Sequence, residues 1–114
     1  MTIQPSAIAF VGHLVWRFPE LSEAFAEHVY DEEGVLPHVF MADVERFAEA
    51  LLVSAPDRLA SLLLVLEEGY ASGDPAVTNL VDVSFVESLP YPGEANSTIR
   101  DLLPAGLRSL LRHG

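Results

Sequence analysis

SAPDRLASLLLVLEEGYASGDPAVTNLVDVSFVESL, residues 54–89, is the stretch whose reading decides the fold. Residues 57–71 carry Leu59, Leu62, Leu63, Leu64, Val65 and Leu66. Such a run is too apolar for a solvated helix and too short to span a bilayer, so it predicts a helix at the centre of a core. Residues 76–89 place Val77, Leu80, Val81, Ser84 and Phe85 at i, i+3, i+4, i+7 and i+8, the spacing of one helical face, with Asp82 and Glu87 largely off it. Between the two blocks, Asp74 can cap a helix N-terminus and Pro75 can take its first position, where the missing N–H costs nothing. Only Gly73 is left over as a link, so the two helices should be packed neighbours, as in helical hairpins and stacked helix pairs. Leu62, Leu63, Leu66, Leu80, Val81 and Phe85 are the expected centre. At the front of the stretch, Ser54-Ala55-Pro56-Asp57 has the form of a capping box, with Ser54 accepting from the backbone and Asp57 reaching back.

Outward from this pair the pattern stays helical. Pro5 can sit in the first turn of a helix whose apolar stripe, Ala7, Ile8, Phe10, Val11, Leu14 and Val15, runs to Phe18. Pro19 pushes Phe18 out of the helical region and can open a second helix, buried through Leu21, Phe25 and Val29 and stopped at Gly34. A third helix, from Pro37 or Met41 to Val53, would bury Phe40, Val44, Phe47, Ala48 and Leu51 and point Asp43, Glu45 and Glu49 outward, with Arg46 one turn from Asp43 or Glu49. Pro90-Tyr91-Pro92-Gly93 opens a loop over residues 90–97. A last helix, broken or reset at Pro104, should run from Thr98 to about His113, burying Ile99, Leu102, Leu103, Leu107, Leu110 and Leu111, with Arg108 and Arg112 at the negative end of its dipole. Only residues 35–40 leave room for a short strand. The expectation is an all-α single domain over residues 1–114, with five to six helices in hairpin or short solenoid-like packing and residues 1–4 as a tail.

Composition removes several classes of partner. Seventeen acidic side chains face six basic ones, all Arg, for a net charge of −11. Nucleic acid and anionic membranes both need a basic footprint, so neither is an expected partner. A strongly acidic field does speed encounter with a basic protein surface, although the same charge can serve solubility alone. With no Cys there is neither a disulfide framework nor a thiolate metal site, which suits the cytoplasm. The apolar stretch over residues 7–16 lacks the basic start and small-residue cleavage site of a signal peptide.

The chemistry-bearing residues do not assemble into a catalytic motif. His28 with Asp31 and Glu32 has one helix-face spacing compatible with a metal, and His38 is the nearby second histidine, but the reading preferred is a solvated helix end with no metal or other cofactor needed. His13 reads as a core histidine, and Trp16 and Tyr30 as core aromatics. Glu67 and Glu68 point about 100° apart around a helix, a poor acid and base pair, so one of them is simply exposed. Ser72 and Ser84 have no nucleophile-elbow context, and the glycines read as helix stops. An enzyme is not expected.

Leu36-Pro37-His38-Val39-Phe40-Met41-Ala42-Asp43, the segment at residues 66–74 and the segment at residues 79–90 carry a resemblance. Over residues 18–111 the chain resembles a family of small, acidic, helical bacterial proteins of undetermined activity, some of which lie beside polymorphic-toxin genes and are taken to be their immunity proteins. The resemblance implies a non-enzymatic inhibitor of a cognate toxin and brings no catalytic residue with it. The surface expected to bind such a basic partner is Glu23, Glu27, Asp31, Glu32 and Glu33, joined by Asp43 if the third helix folds back beside the second. Tyr91 and Glu94 on the proline loop form the rival surface, with an aromatic anchor. The alternative function is a helical adaptor that takes a partner helix into an apolar groove.

Overall fold

The computed structural model describes residues 5–111, and among them there are helices and no strands. The hairpin at residues 54–89 is its centre. Helix α4 (Pro56–Ala71) buries Leu59, Leu62, Leu63, Val65 and Leu66, while α5 (Pro75–Ser84) buries Val77, Leu80 and Val81. Leu64 falls on the far side of α4 and is exposed. Asp74 caps α5 as its residue type dictates: one carboxylate oxygen accepts from the N–H of Ala76 at 2.9 Å and of Val77 at 3.1 Å. The same oxygen accepts from the Ser6 hydroxyl at 2.9 Å, which ties the start of α1 (Pro5–Arg17) to the start of α5.

The capping box at Ser54 is not formed. Helix α3 (Pro37–Ser54) runs through Ser54, whose hydroxyl donates back to the Ala50 carbonyl at 2.9 Å, and Ala55 alone is both the C-cap of α3 and the N-cap of α4. Pro56 occupies the first position of α4 and has no N–H to satisfy, so a side-chain cap has less to do there.

Around the hairpin, α5 packs against α1, α3 and α4, and α3 also lies on α4 and α1. Phe18, at the end of α1, is buried as the boundary its proline neighbour requires; the Arg58 guanidinium lies 4.5 Å over its ring and pairs in bidentate fashion with Glu20, both N···O distances being 2.9 Å. Pro19–Leu21 forms a 3-10 turn before α2 (Ser22–Glu32), which ends in a left-handed Glu33 followed by Gly34. No strand forms at residues 35–40, because Leu36 is the N-cap of α3 and Pro37 its first residue.

The C-terminal third is more broken than its periodicity suggested. Helix α5 ends at Ser84 with Phe85 as its C-cap, the Phe85 N–H still donating to the Val81 carbonyl, and Val86–Ser88 is a separate 3-10 turn. The last helix is two pieces, a 3-10 helix at Ser97–Leu102 and the four-residue α6 at Ala105–Arg108, divided where Leu103 turns extended before Pro104. Leu102 is exposed, whereas Ile99, Leu103 and Leu107 are buried. The tail at residues 1–4, Arg112 and His113 lie outside the described residues. The whole measures 36 × 29 × 21 Å, a single all-α domain. No helix among the described residues is long and apolar enough to cross a membrane.

His13, Trp16 and Tyr30, which the sequence placed inside, are outside, and His28, placed at a solvated helix end, is inside. Ala7, Val11 and Leu14 set the inner face of α1, so His13 and Trp16, on the opposite side, are exposed, their rings 6.0 Å apart. Tyr30 is also exposed. His28, by contrast, is buried in place of a solvated helix end: its Nε2 accepts the Leu36 N–H at 3.0 Å and its ring lies 5.5 Å from that of Phe40. Two glycines are packing positions rather than stops. A Cβ at Gly69 would lie 2.5 Å from the Phe10 ring, and one at Gly106 would lie 2.6 Å from a Glu67 oxygen.

Candidate functional site

Helix α2 presents the densest row of carboxylates. Its inner side is set by His28, buried, with Ala24, Phe25 and Val29 half-buried beside it. A helix that commits those positions to the core leaves Glu23, Glu27 and Asp31 on the side facing water, and all three are exposed, as are Glu32 and Glu33 at its end. None of the five forms an ion pair with an Arg among the described residues. Tyr30 sits three positions after Glu27 and seven after Glu23, at the edge of that face next to Glu23, and is 85 % exposed. Reading Tyr30 as a core aromatic overlooked this spacing, which was available in the sequence.

Asp43 lies on the neighbouring helix α3. It is half-buried on α3 and its carboxylate holds Arg46 one turn along the same helix. The proline loop is ordered by Glu94, whose Oε1 accepts the Tyr91 N–H at 2.6 Å, and both residues are exposed. They border an open cleft of about 520 Å³ whose walls also include Glu49, Glu87 and Leu89.

Behind Glu49 lies a carboxylate that sequence reasoning pointed outward. Glu45 is only 6 % exposed, and its Oε2 is buried with no hydrogen-bond partner. Burial, then the hydrogen bond and charge of Glu49, push the Glu45 carboxyl up to about 8, against a smaller pull from Arg46. Glu49 is held below the ordinary carboxylate range by that hydrogen bond and by Asn96, whose side-chain amide donates to it at 3.0 Å. Two carboxylates pushed apart in this way are an arrangement that acid and base catalysis uses. Here the sealed oxygen of Glu45 leaves Glu49 as the member bordering the cleft, and the proton binds α3 internally and, through Asn96, to the loop. The spacing of four between Glu45 and Glu49 hinted at contact, but the burial of Glu45 depends on what packs over α3.

Glu67 has a structural task as well. Its two oxygens accept the N–H groups of Gly106 and Leu107, each at 2.9 Å, while Glu68 is exposed. His28 directs Nε2 to a backbone N–H, and His38 Nδ1 meets the Ser84 hydroxyl at 2.5 Å. No group of three or more His, Asp or Glu residues among the described residues is arranged to hold a metal ion.

The fold and this surface define an all-α, single-domain protein with an exposed acidic helix face and an exposed tyrosine beside it. Over residues 11–113 the sequence matches the family described as a domain of unknown function, DUF7674, and the chain belongs to that family. No curated protein and no solved structure matches it.

Proposed function

We propose that this chain is a non-enzymatic binding protein of the immunity type, which seats the outer face of α2 on a cationic surface of a partner protein. The single observation that supports this reading most is Tyr30, 85 % exposed at the edge of the face that Glu23, Glu27 and Asp31 present. A large aromatic ring in water has no folding benefit, whereas at an interface it supplies apolar area with little loss of side-chain freedom and is a frequent hot spot. The adjacent carboxylates would steer a basic partner and set its register. A cognate toxin domain is the partner class, supported by the family resemblance of the motifs at residues 36–43, 66–74 and 79–90, and the cytoplasm is the compartment, supported by the absence of Cys.

The test begins with the gene neighbourhood and with copurification from the native host, followed by association rates with the recovered toxin. Replacing Asp31, Glu32 and Glu33 by Lys should slow association by about tenfold at low salt and by less at high salt. Tyr30→Ala should mainly raise the dissociation rate. Unchanged rates in the triple variant, together with a large loss from Tyr91→Ala, would move the interface to the proline loop.

A further inference from the structure

The proline loop, through Pro92 and Gly93, also borders a second cleft, of about 300 Å³, lined by Ser97, Thr98, Arg100, Asp101, Arg108 and Leu111. Two of the six basic residues of a chain with net charge −11 converge there. Arg100 is only 8 % exposed, yet its single hydrogen bond is a long one, 3.3 Å from Nη1 to the Pro90 carbonyl. Arg108 donates to the backbone carbonyls of Asp101 and Leu103. Neither guanidinium forms an ion pair among the described residues, although carboxylates outnumber cations nearly threefold in the chain. A buried guanidinium has five donors and an unfavourable free energy of burial unless a counter-charge meets them. The Ser97 and Thr98 hydroxyls, on the same wall, make no hydrogen bond to the described protein either.

The geometry points to a binding site for a small phosphorylated molecule, with Arg100 and Arg108 on the phosphate oxygens and the Ser97 and Thr98 hydroxyls completing the donor set. Guanidinium groups match tetrahedral oxyanions with paired N–H donors, and hydroxyls add donors without charge. The Asp101 carboxylate on the rim lowers the local positive charge, which selects against large polyanions and is consistent with the chain's repulsion of nucleic acid. The volume lies at the small end of ligand sites, enough for a phosphate and a modest substituent. None of these residues belongs to the α2 face, so the site stands independently of the partner proposed above.

The test uses the full chain and inorganic phosphate as the probe, titrated against sodium chloride of matched ionic strength while backbone amide shifts and thermal unfolding are followed. Saturable shifts at Ser97, Thr98, Arg100 and Arg108, with a rise in Tm beyond the chloride control, are expected. Arg108→Gln, at an exposed position, should weaken phosphate binding about tenfold or more, as loss of a charge-assisted pair does. Thr98→Ala, which disturbs no protein hydrogen bond, should weaken it by a smaller factor. Phosphate that does no more than chloride would overturn the proposal, as would binding unchanged in both variants. Acetate matching phosphate in the same titration would overturn the assignment of a phosphorylated ligand.

Discussion

The Glu67 carboxylate and the backbone of Gly106, thirty-nine positions apart in the chain, meet at 2.9 Å, and the second Glu67 oxygen takes the N–H of Leu107 next to it. A side chain from the C-terminal part of α4 thus serves as the N-terminal cap of α6, a helix of four residues that could not hold itself together in water. The absence of a Cβ at residue 106 lets the carboxylate come so close, since an added Cβ would lie 2.6 Å from it.

The two positions should therefore be coupled. Gly106→Ala is expected to destabilise the protein by about 1–3 kcal/mol, as other overpacked sites do. Glu67→Ala should cost a similar amount, about 1–3 kcal/mol, by leaving two N–H groups without their acceptor. Combined, the two substitutions should cost clearly less than their sum, because the clash disappears with the carboxylate. Chemical denaturation of the four proteins checks this, and additive losses would mean that Gly106 matters for a reason unrelated to Glu67.

Stability should depend on pH through Glu45. Its carboxyl is raised from an ordinary 4.5 to about 8 in the folded chain, so the proton is held more tightly folded than unfolded. That contribution is complete below about 4.5 and is lost as pH climbs through about 8. Glu49, lowered, acts in the opposite sense and loses its contribution only as pH falls below its ordinary value. Glu45→Gln keeps a neutral donor for Glu49 and removes the titration. At pH 9 this variant should be more stable than the parent by about 1–3 kcal/mol, the range for a buried polar group left unsatisfied. Near pH 5 the two should be nearly equal. Thermal unfolding across this range measures the difference, and parallel profiles would remove Glu45 as the titrating group.

Much of this was legible before any coordinates, and the reason differs from place to place. Phe18-Pro19 and Asp74-Pro75 mark their boundaries because proline geometry and an aspartate side chain act within a few residues. The inner faces of α4 and α5 were readable from periodicity, since six residues from Leu62 to Phe85 placed at the centre are all buried. Ser54 failed as a cap because Pro56 and Ala55 already resolved the same backbone problem. Glu45, Glu67 and His28 were misread or unread because their partners come from the packing of distant segments, which no local spacing encodes. Of the candidate surface, the carboxylates of α2 were legible and the tyrosine beside them was not taken up, although the same spacing rule located it.

Leu63, buried within α4, should show the weight of that core. Leu63→Ala is expected to cost about 2–5 kcal/mol in denaturant unfolding. A loss under about 1 kcal/mol would indicate that the site collapses around the smaller side chain far more completely than leucine sites generally do.

Tyr30→Ala should leave folding almost untouched, within about 0.5 kcal/mol, since so exposed a ring makes little contact with the rest of the protein. Thermal unfolding provides the comparison. A large drop in Tm would make Tyr30 a structural residue and remove the main support for an interface on α2.

Ala55, shared by the end of α3 and the start of α4, leaves that junction with no slack. Any residue gained or lost there would have to rotate a whole helix against the core, whereas residues 91–96 lie exposed or half-exposed in turns whose length no buried stripe constrains. Sequence gaps in an alignment of this family should accordingly gather in the segment after Leu89 and avoid the joint at Ala55, so that members of different length would differ mainly in the loop that lines both clefts.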